Sequence, residues 1–373
     1  MSVPPDPRPV PPEPHEPATT PAPPPEPTPP PEPLRLRLRT LTDLIAAVPY
    51  LIGFHPADSL VVIGFAGRAV VFAARIDLPG HGGGTVSTTA GYAVSLLERQ
   101  TVHEAVLIGY GQPGDAEPLM ARCRVVMARA GMVLHDALWI TGDRYRSLLC
   151  DVPECCPPDG MPFEVSSSEV AAAATLAGRV ALPDRAAVES LIAPVGGAER
   201  RAIALATARA EATLHLEFEA SDLAAARRRL IRQGTQLLDS AVRRYPTGGR
   251  LDHHEVATLS VLLLLEAYTD VAWRRVINDA GYRQVAMWSD LLRRVQPDLS
   301  APVATLLGYA AWRNGQGALA RVATQRALTI SPRYEPATLM YEILLTGVGP
   351  GVHSAVLAAG MTPYDDSDHP GAL

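Results

Sequence analysis

"YLIGFHPADSLVVIGFAGRAVVFAARIDLP" (residues 50–79) sets two apolar runs, 59–65 and 69–79, on either side of the tripeptide Ala66, Gly67, Arg68. Such runs read as two strands, the first of them a buried one, and the glycine between them supplies a tight hairpin turn. The preceding "GFHPADS" (53–59) reads as a loop feeding the first strand. Pro56 sets a turn and holds His55 extended, while Asp58 and Ser59 are suited to cap backbone amides. If that strand lies centrally in a sheet, His55, Asp58 and Ser59 fall at a sheet edge, where α/β proteins bind ligands.

Working outward, "LRLRLRT" (34–40) alternates Leu34, Leu36 and Leu38 with Arg35, Arg37 and Arg39, the period of a half-exposed strand. "LTDLIAAVP" then predicts a short helix over 43–48, with Thr42 as N-cap and Pro49 as terminator. A glycine run at 82–84 leads to an amphipathic helix at 86–99. A buried strand at 104–110, a helix at 117–131 stopped by Gly131, and a strand at 135–141 follow. This alternation predicts an α/β layer fold for an N-terminal domain, 34–165.

Beyond it the pattern turns helical and Ala-rich, from a capping box at Ser166 and Glu169 to about residue 348, which predicts an all-α domain over 166–350. Within it, residues 301–332 fit a tetratricopeptide-like helix pair. Leu307 and Gly308, Ala320, Ala327 and Pro332 take the template positions, whereas Ala304, Ala311 and Thr324 depart from its large residues. No tandem copies accompany the pair, and one pair builds no solenoid groove.

The ends differ in composition. Seventeen of the 36 prolines lie in residues 1–33, which predicts a disordered, polyproline-II-rich arm, and the acids of the last residues predict an acidic flexible tail over 351–373. The arm and the last 15 residues together carry −7 of the formal net charge of −6, so the body stands near +1. A nearly neutral body argues against a dedicated nucleic-acid face, and the pairs Arg243 and Arg244, Arg274 and Arg275, and Arg293 and Arg294 read as solvated helix faces. All 33 basic residues are arginine, which removes the lysine of a P-loop and any Schiff-base chemistry. No secretory signal is evident, and the longest apolar run, 256–265, is half of what a bilayer span requires. A cytoplasmic protein without membrane or nucleic-acid partners is expected.

Three motifs invite chemistry. "GYGQPG" (109–114) spells the dinucleotide fingerprint through Gly109, Gly111 and Gly114. Pro113, however, removes an amide, and the acid expected about 20 residues on falls at Asp136, at the start of the next strand. "HGGG" (81–84) spells an oxyanion motif, but no serine stands in G-x-S-x-G. "CDVPECCPPDG" (150–160) gathers Cys150, Cys155 and Cys156, which with a histidine such as His135 would complete a zinc tetrahedron. Yet C-x₄-C-C is no recognised zinc spacing, and neighbouring side chains in extended chain point apart, with Pro157 restricting Cys156. Structural thiols without a bound metal are therefore expected, and Cys123 reads as core.

The segments "AAVPYLIGFHPADSLVVIGF", "LCDVPECCPPDG", "LPDRAAVESLIAP" and "AAWRNGQGALARVATQRALTISPRYEPA" together resemble the actinobacterial domain-of-unknown-function family 4192, over residues 36–348. The resemblance implies a cytosolic protein of unassigned activity and supplies no catalytic residue or cofactor. The functional expectation is a non-catalytic binding or regulatory module. It would take a small ligand in the α/β domain, or a protein partner through the helical domain or the proline-rich arm. The alternatives are an enzyme using His55, Asp58 and Ser59 with Asp143 or the 82–84 glycines, and a nucleotide binder using the 109–114 loop.

Overall fold

The computed structural model describes residues 38–81, 84–165, 168–177, 179–219, 222–278 and 282–350. The proline-rich arm and the acidic tail lie outside these residues.

The α/β half contains α1 (Leu41–Ile52), β1 (Ser59–Ala66), β2 (Ala69–Asp77), α2 (Val86–Arg99), β3 (Glu104–Tyr110), α3 (Pro113–Arg129), β4 (Val133–Thr141), β5 (Arg144–Ser147) and β6 (Met161–Pro162). The strands form one mixed sheet in the order β2-β1-β3-β4-β5-β6. Strand β1 pairs antiparallel with both β2 and β3, only β3 and β4 run parallel, and β5 and β6 continue antiparallel. Because β1 is central, both its faces are covered. Leu60 and Val62 join the layer of α2 and α3, whereas Val61 and Ile63 join that of α1. This explains the unbroken apolar run, since a strand covered on one side alone would alternate.

Several local expectations are corrected. Residues 34–37 of the expected first strand lie outside the described chain, and Leu38 and Arg39 are not in a strand. Thr40, not Thr42, caps α1, in a reciprocal capping box with Asp43, and Arg39 and Thr40 also donate backbone amides to the Asp43 carboxylate. Pro49 lies inside α1, which ends at Gly53 with φ 93°, a left-handed conformation that glycine adopts without strain. Helix α3 begins at Pro113, four residues before the expected start, because proline suits the first helical position. Ser166 lies outside the described residues; Ser168 caps α4, its side chain accepting from the Val170 amide. Strands β5 and β6 were not expected.

The helical half contains α4 (Glu169–Leu176), α5 (Arg185–Ser190), α6 (Gly197–Phe218), α7 (Leu223–Arg244), α8 (His253–Leu262), α9 (Glu266–Asn278), α10 (Tyr282–Arg294), α11 (Ser300–Arg313), α12 (Gly317–Ile330) and α13 (Glu335–Thr346). The apolar run at 256–265 does not continue as one helix: α8 stops at Leu262 and the chain turns through 108° into α9. Among the described residues no single helix is long and apolar enough to cross a membrane.

The two halves share their packing. Phe54, just after α1, is buried in the helical core, while Val170 of α4 packs on Ala46 and Ala47 of α1. An isolated parallel bridge joins Phe54 to Leu182, with backbone bonds from His55 N to Leu182 O (2.9 Å) and from Leu182 N to Gly53 O (3.0 Å). Among the described residues the two halves belong to one compact unit.

Candidate functional site

Because β1 is antiparallel to β3, its N-terminus meets the C-terminal ends of the parallel pair: Ser59 lies directly opposite Tyr110. Three connections therefore converge at one edge of the sheet. They are the 55–58 loop before β1, Gly111 and Gln112 after β3, and Thr141 and Gly142 after β4. They surround a cavity of about 460 Å³, whose apolar wall includes Ile45 and Pro49 of α1, Ile140 and Phe163. Both the volume and the mixture of apolar wall with few polar groups are those of small-molecule pockets.

The 55–58 loop is tied down by its backbone. His55 donates its amide to Leu182, the Ala57 carbonyl accepts from Arg75 Nη2 (3.3 Å), and the Asp58 carbonyl accepts from the Leu78 amide (3.3 Å). Arg75 is itself fixed by Asp77 (2.7 Å) and lies over the Phe54 ring. Asp58 adopts φ 43°, a left-handed conformation that costs a non-glycine residue energy and that Asp tolerates better than most. His55 and Asp58 are exposed side chains at the cavity.

Ser59 behaves differently. It is fully buried, and among the described residues its hydroxyl has no hydrogen-bond partner. No hydrogen bond links His55 to Asp58 or to Ser59 among the described residues, so the three residues do not form a nucleophile–base–acid relay. Asp143 is not part of the cavity wall, and its carbonyl accepts the Phe163 amide. Of the 82–84 glycines, Gly82 and Gly83 lie outside the described residues and Gly84 borders a different groove.

The glycines at 109–114 separate by role. Gly109 faces α3: a Cβ there would stand 2.6 Å from the Met120 sulfur and 3.0 Å from Ala116. Gly111, at φ 132°, borders the cavity, and a Cβ there would come within 3.2 Å of Asp58 Oδ1. Its carbonyl accepts from the Trp139 indole (3.0 Å). Gly114 is open to solvent. Asp136 lies toward the opposite end of the sheet, opposite Val106, where its carboxylate accepts from Ser147 Oγ (2.6 Å) and the Ala137 amide (2.7 Å). An acid so placed is remote from a ligand at Gly111. Tyr110, Gln112, Thr141 and Phe163 were not anticipated.

A larger cavity, about 680 Å³, runs between β2 with α2 and the helical half, past Phe72, Tyr92, Trp312 and Arg321. Its lining extends as far as Pro350.

The cysteine loop overturns the expectation of diverging thiols. The Val152 carbonyl accepts both the Cys155 amide (3.1 Å) and the Cys156 amide (2.8 Å), and this turn leaves the sulfurs of Cys150, Cys155 and Cys156 all within 4.8 Å of one another. Backbone at Val152 and a hydrogen bond with Cys156 hold the Cys150 thiol below its ordinary value, while desolvation and that same bond raise Cys156. His135 is not in this cluster; it pairs with Glu104 (2.8 Å) and sits edge-on to Phe65. Cys123 is buried in α3, as expected, and burial pushes its thiol up to about 12.

No curated protein and no solved structure matches the chain. A family model described as a domain of unknown function, DUF4192, matches residues 42–351, spanning both halves of the fold, both strand-edge loops and the cysteine loop. The chain belongs to that family.

Proposed function

We propose that this protein is a cytosolic binding module that holds a small ligand at the sheet edge between the 55–58 loop, Gly111 and Thr141. The observation that carries this reading is the convergence of three separate loops on one cavity at the carboxyl ends of the parallel pair. The ligand would place an apolar flank on Ile45, Pro49 and Phe163 and polar groups toward His55, Asp58 and Thr141. Binding is preferred to catalysis because His55, Asp58 and Ser59 are not hydrogen-bonded to one another. A nucleotide reading of the 109–114 loop gains nothing from an Asp136 tied to Ser147 at the other end of the sheet.

In the same reading the helical half is a docking scaffold, with α11 and α12 as a tetratricopeptide-like pair. In its support, a Cβ at Gly308 would lie 2.5 Å from Thr324 Oγ1, so the two helices touch where the template requires a small residue.

Native mass spectrometry of gently purified protein, followed by thermal shift with the co-purifying molecule, tests the ligand site. A ligand at a hundred times its Kd should stabilise the wild type by about 2.7 kcal/mol. His55→Ala and Asp58→Ala should retain the fold and lose most of that gain. Equal stabilisation of the variants would rule the site out.

A further inference from the structure

We propose that Cys150, Cys155 and Cys156 form a three-thiolate site for a soft d10 cation, for which Zn²⁺ is the probe, with the fourth position open to solvent. The sulfurs already lie within 4.8 Å of one another. Tetrahedral zinc, with Zn–S bonds of about 2.3 Å, separates its sulfurs by roughly 3.8 Å. The contraction is therefore about an ångström, within reach of side-chain rotation alone.

The loop is built to hold this arrangement. Val152 gathers the Cys155 and Cys156 amides on one carbonyl, which turns two adjacent side chains to the same side. Gly160, at φ 77°, closes the following turn with a bond from its amide to Pro157 O (2.8 Å), and Arg144 Nη1 donates to the Gly160 carbonyl (2.6 Å) to pin the turn to β5. On the approach, the Leu148 amide bonds Ala137 O (2.8 Å) and the Leu149 amide bonds Ser147 Oγ (3.2 Å), so Cys150 also leaves from a fixed strand end. Cys150 and Cys156 are half-buried and Cys155 is exposed, which gives a cation an entry path. As each S–metal bond forms, the thiol proton passes to solvent, three protons for one divalent ion, with no change of oxidation state.

Three protein ligands with an open fourth position is the arrangement of zinc sites that exchange a bound molecule, whereas purely structural sites are closed by four. The site is separate from the sheet-edge cavity, whose lining includes none of the three cysteines.

The test uses the reduced, metal-free full-length chain titrated with Zn²⁺ in competition with a chromophoric chelator, and with Co²⁺ to read thiolate charge-transfer absorption. One ion per chain is expected. Cys150→Ser and Cys156→Ser should lose it, and Cys123→Ser should keep it. Should a loop variant not fold, alkylation of the wild type supplies the second reading, since Zn²⁺ should slow iodoacetamide modification of the three loop thiols. No stoichiometric uptake, uptake indifferent to both loop variants, or loop alkylation unchanged by Zn²⁺ would overturn the site.

Discussion

At the scale of single residues, Gly111 and Asp290 show how position turns chemistry into a measurable cost. Gly111→Ala forces a side chain to φ 132° and brings its Cβ to 3.2 Å from Asp58 Oδ1. Strain of this kind costs of order 1–3 kcal/mol, so chemical denaturation should show a loss in that range together with a displaced 55–58 loop. Asp290, in α10, is almost buried and accepts from Tyr245 (2.5 Å), Arg250 and Arg294 (3.1 Å). Burial alone would raise its pKa, but these donors outweigh it and hold the carboxyl below its ordinary 3.8. A depressed carboxylate stabilises the fold above its unfolded pKa, and that contribution fades as pH falls below about 4 toward the folded value. Asp290→Asn should therefore cost about 1–3 kcal/mol at neutral pH, with the gap to the wild type narrowing in acid. A gap that stays constant down to pH 2 would show that the charge is not what matters. His55, Asp58 and Gly111 were readable at this scale because turn chemistry is local. The meeting of the three sulfurs was not, because it depends on one carbonyl accepting two amides, which spacing does not encode.

Elements were legible where the pattern was long and the burial two-sided. Strand β1 and helix α2 appear where the apolar runs placed them, and the glycine turn made the hairpin plain. Strands β5 and β6 leave no sequence signal because they are four and two residues long and carry Arg144, Arg146 and Pro162, composition that reads as loop. Proline removes an amide, which makes Pro49 read as a stop, yet α1 continues past it to the Gly53 cap. A further element-level consequence lies in α7, where Gly234 sits mid-helix. Substitution by alanine would ordinarily gain about 1 kcal/mol of helix propensity. Here a Cβ would stand 2.6 Å from both Leu262 Cδ1 and the ring of Tyr268, which is itself buried and donates its hydroxyl to the Gly234 carbonyl (2.9 Å). Overpacking costs about 1–3 kcal/mol, so Gly234→Ala should lower the melting temperature. An increase would mean that α7 and α9 move apart freely.

For the whole molecule, the question is whether the α/β and helical halves fold as one. Composition shows a change of character near residue 165 but nothing about how tightly the halves hold, because the contacts that join them are far apart in sequence. Phe54 is 6 % exposed within the helical core, and its strand-like bridge to Leu182 fixes the same loop whose side chains face the sheet-edge cavity. At the far end, Tyr92 of α2 donates to Leu345 O (3.1 Å) and Gln100 donates to Gly347 O (2.8 Å), while Gly347 leaves room for Leu96 and Phe72 to approach. Domains joined by small polar contacts unfold separately; here a buried aromatic and backbone pairing cross the junction. Calorimetry should accordingly show one transition, and hydrogen exchange should release the β3 and α11 amides together. Phe54→Ala, by removing a ring from the helical core, should cost about 3–5 kcal/mol and lower the stability of both halves in step. Two resolved transitions in the wild type, or a Phe54→Ala variant in which only the α11 amides lose protection, would show that the ligand loop and the helical half are energetically independent.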